Sequence, residues 1–178
     1  MKNIKKSEFP EIWMKNTEKC KTSFDFYIKK ELIKQEQEKE YLSNSHLKKA
    51  DYNLDFLNFL FDNKKFYDWI IVGCYYSIYH SALALLAKKG YSSKNHLATL
   101  CALIHLYYKE NLDEQDIELI SRASLEKQEV SYFVEAKEKR ETASYGISQE
   151  FNKSEAQSLR DNTISFVNKV KRILEDFD

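Results

Sequence analysis

Residues 73–90 read "GCYYSIYHSALALLAKKG". The stretch carries no formal charge until Lys88, yet Tyr75, Tyr76, Ser77, Tyr79, His80 and Ser81 crowd into seven positions. Upstream, the uncharged run starts at Trp69, so Trp69 to Ala87 gives nineteen residues without a charge. That is long enough to cross a membrane. Six of the nineteen, however, are Tyr, Ser or His, and one span would leave the amphipathic segments on either side to fold alone. A helix that is apolar all round is equally the central helix of a bundle. The run reads as a buried helix over 66–88. Gly90 stops it, because a residue without Cβ takes the positive φ of a helix C-cap at little cost. No membrane association is expected.

The rest of the composition agrees with a helical reading. Among 178 residues there are 3 Gly and 1 Pro, too few for the many turns of a sandwich or barrel. Hydrophobic residues make up 43%, enough for one domain with a sizeable core. Before the central run, residues 47–62 place Leu47, Ala50, Leu54, Leu57 and Phe61 at three- and four-residue steps, one face of a helix. Residues 11–41 carry a sparser stripe (Trp13, Cys20, Phe24, Tyr27, Ile33) and read as one or two amphipathic helices. "NSH" at 44–46 reads as a break with a cap.

After Gly90, "YSSKN" reads as a loop with Ser92 or Ser93 capping a helix over about 94–109. Asp113 is the expected N-cap of the next helix. A further helix is expected at 130–141 and a loop around Gly146. Ser154 opens the last helix, with Leu159, Thr163, Phe166, Val170, Ile173 and Phe177 on one face. The expectation is an all-α, up-and-down bundle of four to five main helices over 42–178, preceded by a helical extension at 1–41.

Formal net charge is zero, so no global field draws the chain to nucleic acid. Charge is uneven along it: residues 1–50 hold twelve lysines against eight acids, and 109–178 hold sixteen acids against eleven bases. Any RNA contact would need a local patch. Cys20, Cys74 and Cys101 are widely spaced with no CxxC pair, which suits reduced thiols in a cytoplasmic protein. No His/Cys pair has ligand spacing, so no metal is expected. There is no GxxxxGK[ST], GxGxxG or HExxH, and no cofactor is expected.

The order of three segments carries a family resemblance. "YYSIYHSALALLAKKG" is followed by "YSSKNHLA", with His96, and later by "RETASYG", Arg140 to Gly146. Upstream stands "LKKADYNLDFLNFLFDNKKFYDWIIVGCYY". Together, over about residues 42–175, they resemble the HEPN-domain proteins, small helical bundles named for nucleotide binding in higher eukaryotes and prokaryotes. The resemblance implies a bundle that is usually a homodimer. Many members are metal-independent endoribonucleases of toxin–antitoxin, CRISPR and abortive-infection systems. Others are non-catalytic or work beside a minimal nucleotidyltransferase.

Active members carry an Arg followed, four to six residues on, by His. The chemistry explains the pair: the RNA 2′-hydroxyl is the nucleophile, an imidazole near neutral pKa takes its proton, and a fixed guanidinium stabilises the phosphorane. Here Glu141, Thr142, Ala143, Ser144 and Tyr145 follow Arg140, and His46, His80, His96 and His105 all lie upstream. The candidate catalytic residues are Arg140, Tyr145 and His96, with Tyr76, His80 and Lys94 as binding residues. Tyr76 and His80 lie one helical turn apart. A phenol near pKa 10 is a poor base at neutral pH, so Arg140 with Tyr145 alone would be a weak ribonuclease. Two readings stand: an RNA-acting, ribonuclease- or toxin-like defence module, and a non-catalytic module binding a nucleotide, RNA or protein. A nucleotidyltransferase-type or other protein partner fits either.

Overall fold

Leu57 and Gly73 mark where two long helices come closest. The computed structural model describes residues 9–63, 66–123 and 153–177. Helix α1 spans Phe9–Lys15, α2 Thr17–Lys29, α3 Lys39–Asp62, α4 Tyr67–Lys88, α5 His96–Tyr107 and α7 Lys153–Glu175. Helix α6 is described over 114–123. Strands β1 (Ile33–Gln35) and β2 (Tyr91–Ser93) pair antiparallel, with Ile33 opposite Ser93. The protein is an all-α bundle with this one small ribbon among the described residues.

Helices α3 and α4 form an antiparallel hairpin. A Cβ built on Gly73 would lie 3.0 Å from Cβ of Leu57, so the glycine is what lets the two backbones approach. Ser43 Oγ donates to the Ala84 carbonyl at 3.0 Å across the same seam. Helix α4 is the hub. Its first half packs Ile70, Ile71 and Cys74 with Leu57 and Leu60 of α3 and Ala156 and Leu159 of α7. Its second half, Tyr75 to Leu86, enters a larger cluster with α1, α2, α5, α6 and the end of α7. Trp69–Lys88 is apolar and long enough to cross a membrane, but 78% of its most apolar window is buried by the rest of the chain. It is a core helix.

The extension is part of this packing. Trp13, Cys20, Phe24 and Ile33 are each at most 4% exposed, which accounts for the sparse stripe. Trp13 Nε1 donates to Ser23 Oγ at 3.0 Å, tying α1 to α2. On α7, Leu159, Thr163, Phe166, Val170 and Ile173 are buried.

Several local expectations are corrected. The stretch 33–41 is a strand and the start of α3, not helix throughout, because Ile33–Gln35 finds its partner beyond Gly90. "NSH" lies inside α3. The segment does not break the helix: His46 finds a partner in His80 of α4, and Ser43, just before it, donates to the Ala84 carbonyl. Tyr91–Ser93 is β2 rather than loop, and the α5 cap is Asn95, whose Oδ1 accepts from the Ala98 amide at 2.9 Å. Phe177 lies past the end of α7, 40% exposed, with the Lys89 ammonium 4.3 Å from its ring centre. Asp113 does cap α6: its Oδ1 accepts from the Asp116 amide while Asp116 Oδ2 accepts from the Asp113 amide. Lys169 of α7 then bridges both carboxylates. The helix expected at 130–141 and the loop around Gly146 lie outside the described residues.

Two substitutions test the backbone argument in opposite directions. Gly73→Ala gains up to ~1 kcal/mol of helix propensity but forces the Leu57 contact, an overpacking cost of roughly 1–3 kcal/mol; urea unfolding should show a net loss of about 1 kcal/mol. Glu31 follows α2 at φ 55, and its neighbour's amide, Leu32 N–H, closes back on the Tyr27 carbonyl. Glu31→Gly removes left-handed strain at that position and should gain about 0.5–1 kcal/mol.

Candidate functional site

The polar edge of α4 is where the uncharged helix meets solvent. Tyr75 points inward and is 2% exposed, while Tyr76 is 37% exposed. Tyr79 and His80 are half-buried. Tyr75 and Tyr79, one turn apart, stack with ring centres 5.7 Å apart. His96, exposed at the first turn of α5, stands edge-on to Tyr79 with centres 4.5 Å apart.

The Tyr75 hydroxyl reaches this imidazole. Its Oη lies 3.0 Å from Nε2 and 3.1 Å from Nδ1 of His96. One hydroxyl hydrogen serves one nitrogen at a time, so the His96 tautomer decides which nitrogen accepts and which is left to a ligand. Burial, with the neighbouring Tyr79 and Tyr76 phenols, pushes the Tyr75 hydroxyl well above the ordinary phenol range. Tyr75 therefore keeps its hydroxyl hydrogen at any physiological pH, and where its oxygen accepts the N–H of one His96 nitrogen the other nitrogen is left as an acceptor for a ligand. Tyr79 is raised by burial and restrained by its bond to Thr99.

A second imidazole pair lies at the α3–α4 seam. Nδ1 of His46 and Nδ1 of His80 are 3.1 Å apart, with ring centres 5.4 Å apart. The nitrogens face each other head-on, the geometry of one N–H···N bond. One ring must donate and the other accept, so the pair does not hold together when both are cationic. Burial, then the His46 ring and the Lys49 ammonium, lowers His80 to about 4. Burial lowers His46 as well.

Three of the six expected site residues, Tyr76, His80 and His96, are thus joined into one cluster through Tyr75 and Tyr79. Lys94 is exposed in the turn between β2 and α5, two residues before His96. Arg140 and Tyr145 lie outside the described residues. The sequence reading missed His46 as the partner of His80. The signal was the antiparallel hairpin itself, in which positions receding from the turn in α3 meet positions advancing from it in α4. No group of three or more His, Cys, Asp or Glu able to hold a metal occurs among the described residues.

The paired rings predict an acid-sensitive stability. The unfolded chain protonates these imidazoles near pH 6.5, the folded chain only at lower pH. Between about pH 6.5 and 4 the unfolded state therefore binds more protons, and stability falls as the solution is acidified through that window. Allowing for solvent screening, the loss from His80 is on the order of 1–2 kcal/mol. His80→Asn keeps a bond to His46 without titrating, and should flatten the pH dependence of unfolding in that range.

Comparison with known proteins places this geometry. The family model described as HEPN domain matches residues 43–173. A protein of Methanocaldococcus jannaschii named "Putative toxin MJ0142" is 32% identical over 128 residues, covering 72% of this chain and 78% of the relative. No solved structure matches. The matched segment takes in α4, α5 and most of α7, and with them the Tyr75–His96 and His46–His80 pairs. The chain belongs to the HEPN-domain family.

Proposed function

We propose that this chain is an RNA-acting HEPN protein, a metal-independent endoribonuclease of the toxin or defence kind, in which His96 supplies the imidazole that does not follow Arg140. The observation that carries the reading is the Tyr75–His96 bond: a buried phenol holds an exposed imidazole beside an aromatic surface, and with the phenol oxygen accepting one ring N–H the other nitrogen is free to take a proton. In this scheme His96 takes the proton of the RNA 2′-hydroxyl, whose oxygen attacks phosphorus. The 5′ oxygen leaves and is protonated from solvent, giving a 2′,3′-cyclic phosphate. Arg140 stabilises the charge on the phosphorane, and Tyr145 donates to a phosphate oxygen. Tyr76 offers a face on which an unstacked base can lie, and Lys94 and His80 border the same edge. The relative's name, which calls it a toxin, is consistent with such an activity.

His80 is better suited to structure than to base chemistry. A ring tied head-on to His46 and lowered to about 4 is a weak proton acceptor at neutral pH.

A homodimer completes the proposal. Tyr52, Phe56 and Phe59 stand exposed on α3, and Trp69 and Tyr76 on α4. The spacing along each helix puts them on one solvent-facing stripe of the hairpin. Helix α4 carries no Asp, Glu, Lys or Arg between Trp69 and Ala87, so a two-fold copy can lay this stripe on itself without opposing like charges from that helix. A second reading, a non-catalytic module using the same stripe for a nucleotidyltransferase-type or other protein partner, is favoured by one observation: no His follows Arg140 at the family spacing. Cys20, Cys74 and Cys101 form no disulfide among the described residues, which fits a cytoplasmic setting for either reading.

Purified chain incubated with RNA and EDTA should cleave it to 2′,3′-cyclic ends. His96→Ala and Arg140→Ala should each lower the rate by about 100-fold or more, the usual weight of general acid–base catalysis. Trp69→Glu should shift sedimentation from dimer to monomer. Equal background-level cleavage by all of these proteins would refute the catalytic reading and leave the binding module.

A further inference from the structure

Cys20 and Cys101 face each other in a way that packing alone does not require. Cys20 lies on α2, 2% exposed, and Cys101 on α5, fully buried. Each Sγ points at the other residue's carbonyl oxygen, 3.6 Å in both directions. Two sulfurs that each reach the other's backbone need only side-chain rotation to meet. The residues differ in origin: Cys101 is inside the family-matched segment and Cys20 precedes it.

We propose that Cys20 and Cys101 form a two-thiol redox site that takes hydrogen peroxide as oxidant and closes to a disulfide, fastening helix α2 to helix α5. The inference stands apart from the RNA reading and needs no part of it. The site is asymmetric. Cys20 sits on the outer helix α2 and keeps 2% exposure while Cys101 has none, so the oxidant meets the Cys20 sulfur first. Cys20 is therefore the attacking sulfur. Its thiolate attacks one oxygen of the peroxide, the O–O bond breaks, and the leaving hydroxide is protonated to water, leaving Cys20 as sulfenic acid. The Cys101 sulfur then attacks the Cys20 sulfur, its proton going to the departing hydroxide as a second water. The two thiols lose two electrons and two protons, and the peroxide becomes two waters.

Access sets the rate. Both sulfurs are covered, so the oxidant reaches them when α2 lifts from α5, an outer helix opening from the core. Closure of the disulfide abolishes that opening. It also braces α5, the helix that begins at His96.

Cys74 supplies an internal control. It is buried too, but in the other cluster, among Leu57, Leu60 and Ile71. The full chain is treated with hydrogen peroxide a few degrees below its melting temperature, then denatured with iodoacetamide and mapped by peptide mass spectrometry. The expected product joins the Cys20 and Cys101 peptides, lighter by two hydrogen atoms, with Cys74 alkylated. The oxidised protein should melt several degrees higher, and dithiothreitol should reverse the shift. In Cys101→Ser, Cys20 should stop at sulfenic acid and be trapped by dimedone. The proposal is overturned if Cys20 and Cys101 are both recovered alkylated, if Cys74 enters disulfides as often as Cys101, or if Cys20 passes to sulfinic acid without a cross-link.

Discussion

The constraint that shapes this protein is the need to cover α4 on nearly every side. A helix with no charge from Trp69 to Ala87 gives up apolar area worth roughly 25 cal/mol for each Å² removed from water. That gain is realised only if other helices surround it. Helix α3 covers one side through the Gly73–Leu57 contact, α7 another, and α5 with the N-terminal helices the far half. Buried hydroxyls are answered within the bundle: Ser77 donates to the Gly73 carbonyl and Tyr107 to the Leu85 carbonyl. Ser81 Oγ is the exception, buried without a hydrogen-bond partner among the described residues.

Where coverage stops, the polar edge of α4 begins, and the candidate site is that edge. The same helix that drives folding therefore orients the groups of functional interest. Tyr75 is buried enough to keep its hydroxyl protonated, and its oxygen anchors His96 at the surface. His46 and His80 show the opposite outcome: two rings that satisfy each other at the seam and are held neutral. Two pairs of similar composition thus differ in role because one faces solvent and the other faces a neighbouring helix.

Much of this was legible in the sequence. The uncharged run, the scarcity of Gly and Pro, and the steps of Leu47 to Phe61 and of Leu159 to Ile173 carry the helical bundle. The errors share one physical cause, tertiary partners remote in sequence. Asn44, Ser45 and His46 look like a helix break until His80 stands beside His46. Ile33–Gln35 looks helical until Tyr91–Ser93 pairs with it. Asn95 displaces Ser92 and Ser93 as cap because Ser92 donates to the Glu36 carboxylate and the Ser93 hydroxyl bonds the Asn95 backbone one step ahead of the helix. At the site, Tyr76, His80 and His96 could be named from the family pattern, while the Tyr75 bond to His96 depends on how α5 returns to α4.

The central claim is that α4 is the enclosed hub of the bundle, and native-state hydrogen exchange of the detergent-free protein tests it most directly. Amides from Ile70 to Leu86 should exchange only through global unfolding, with the slowest rates in the chain and the same denaturant dependence as overall stability. Helices α1 and α2 should exchange faster, through local opening. Exchange along α4 as fast as in α1, or a chain that stays in solution only with detergent, would contradict the account.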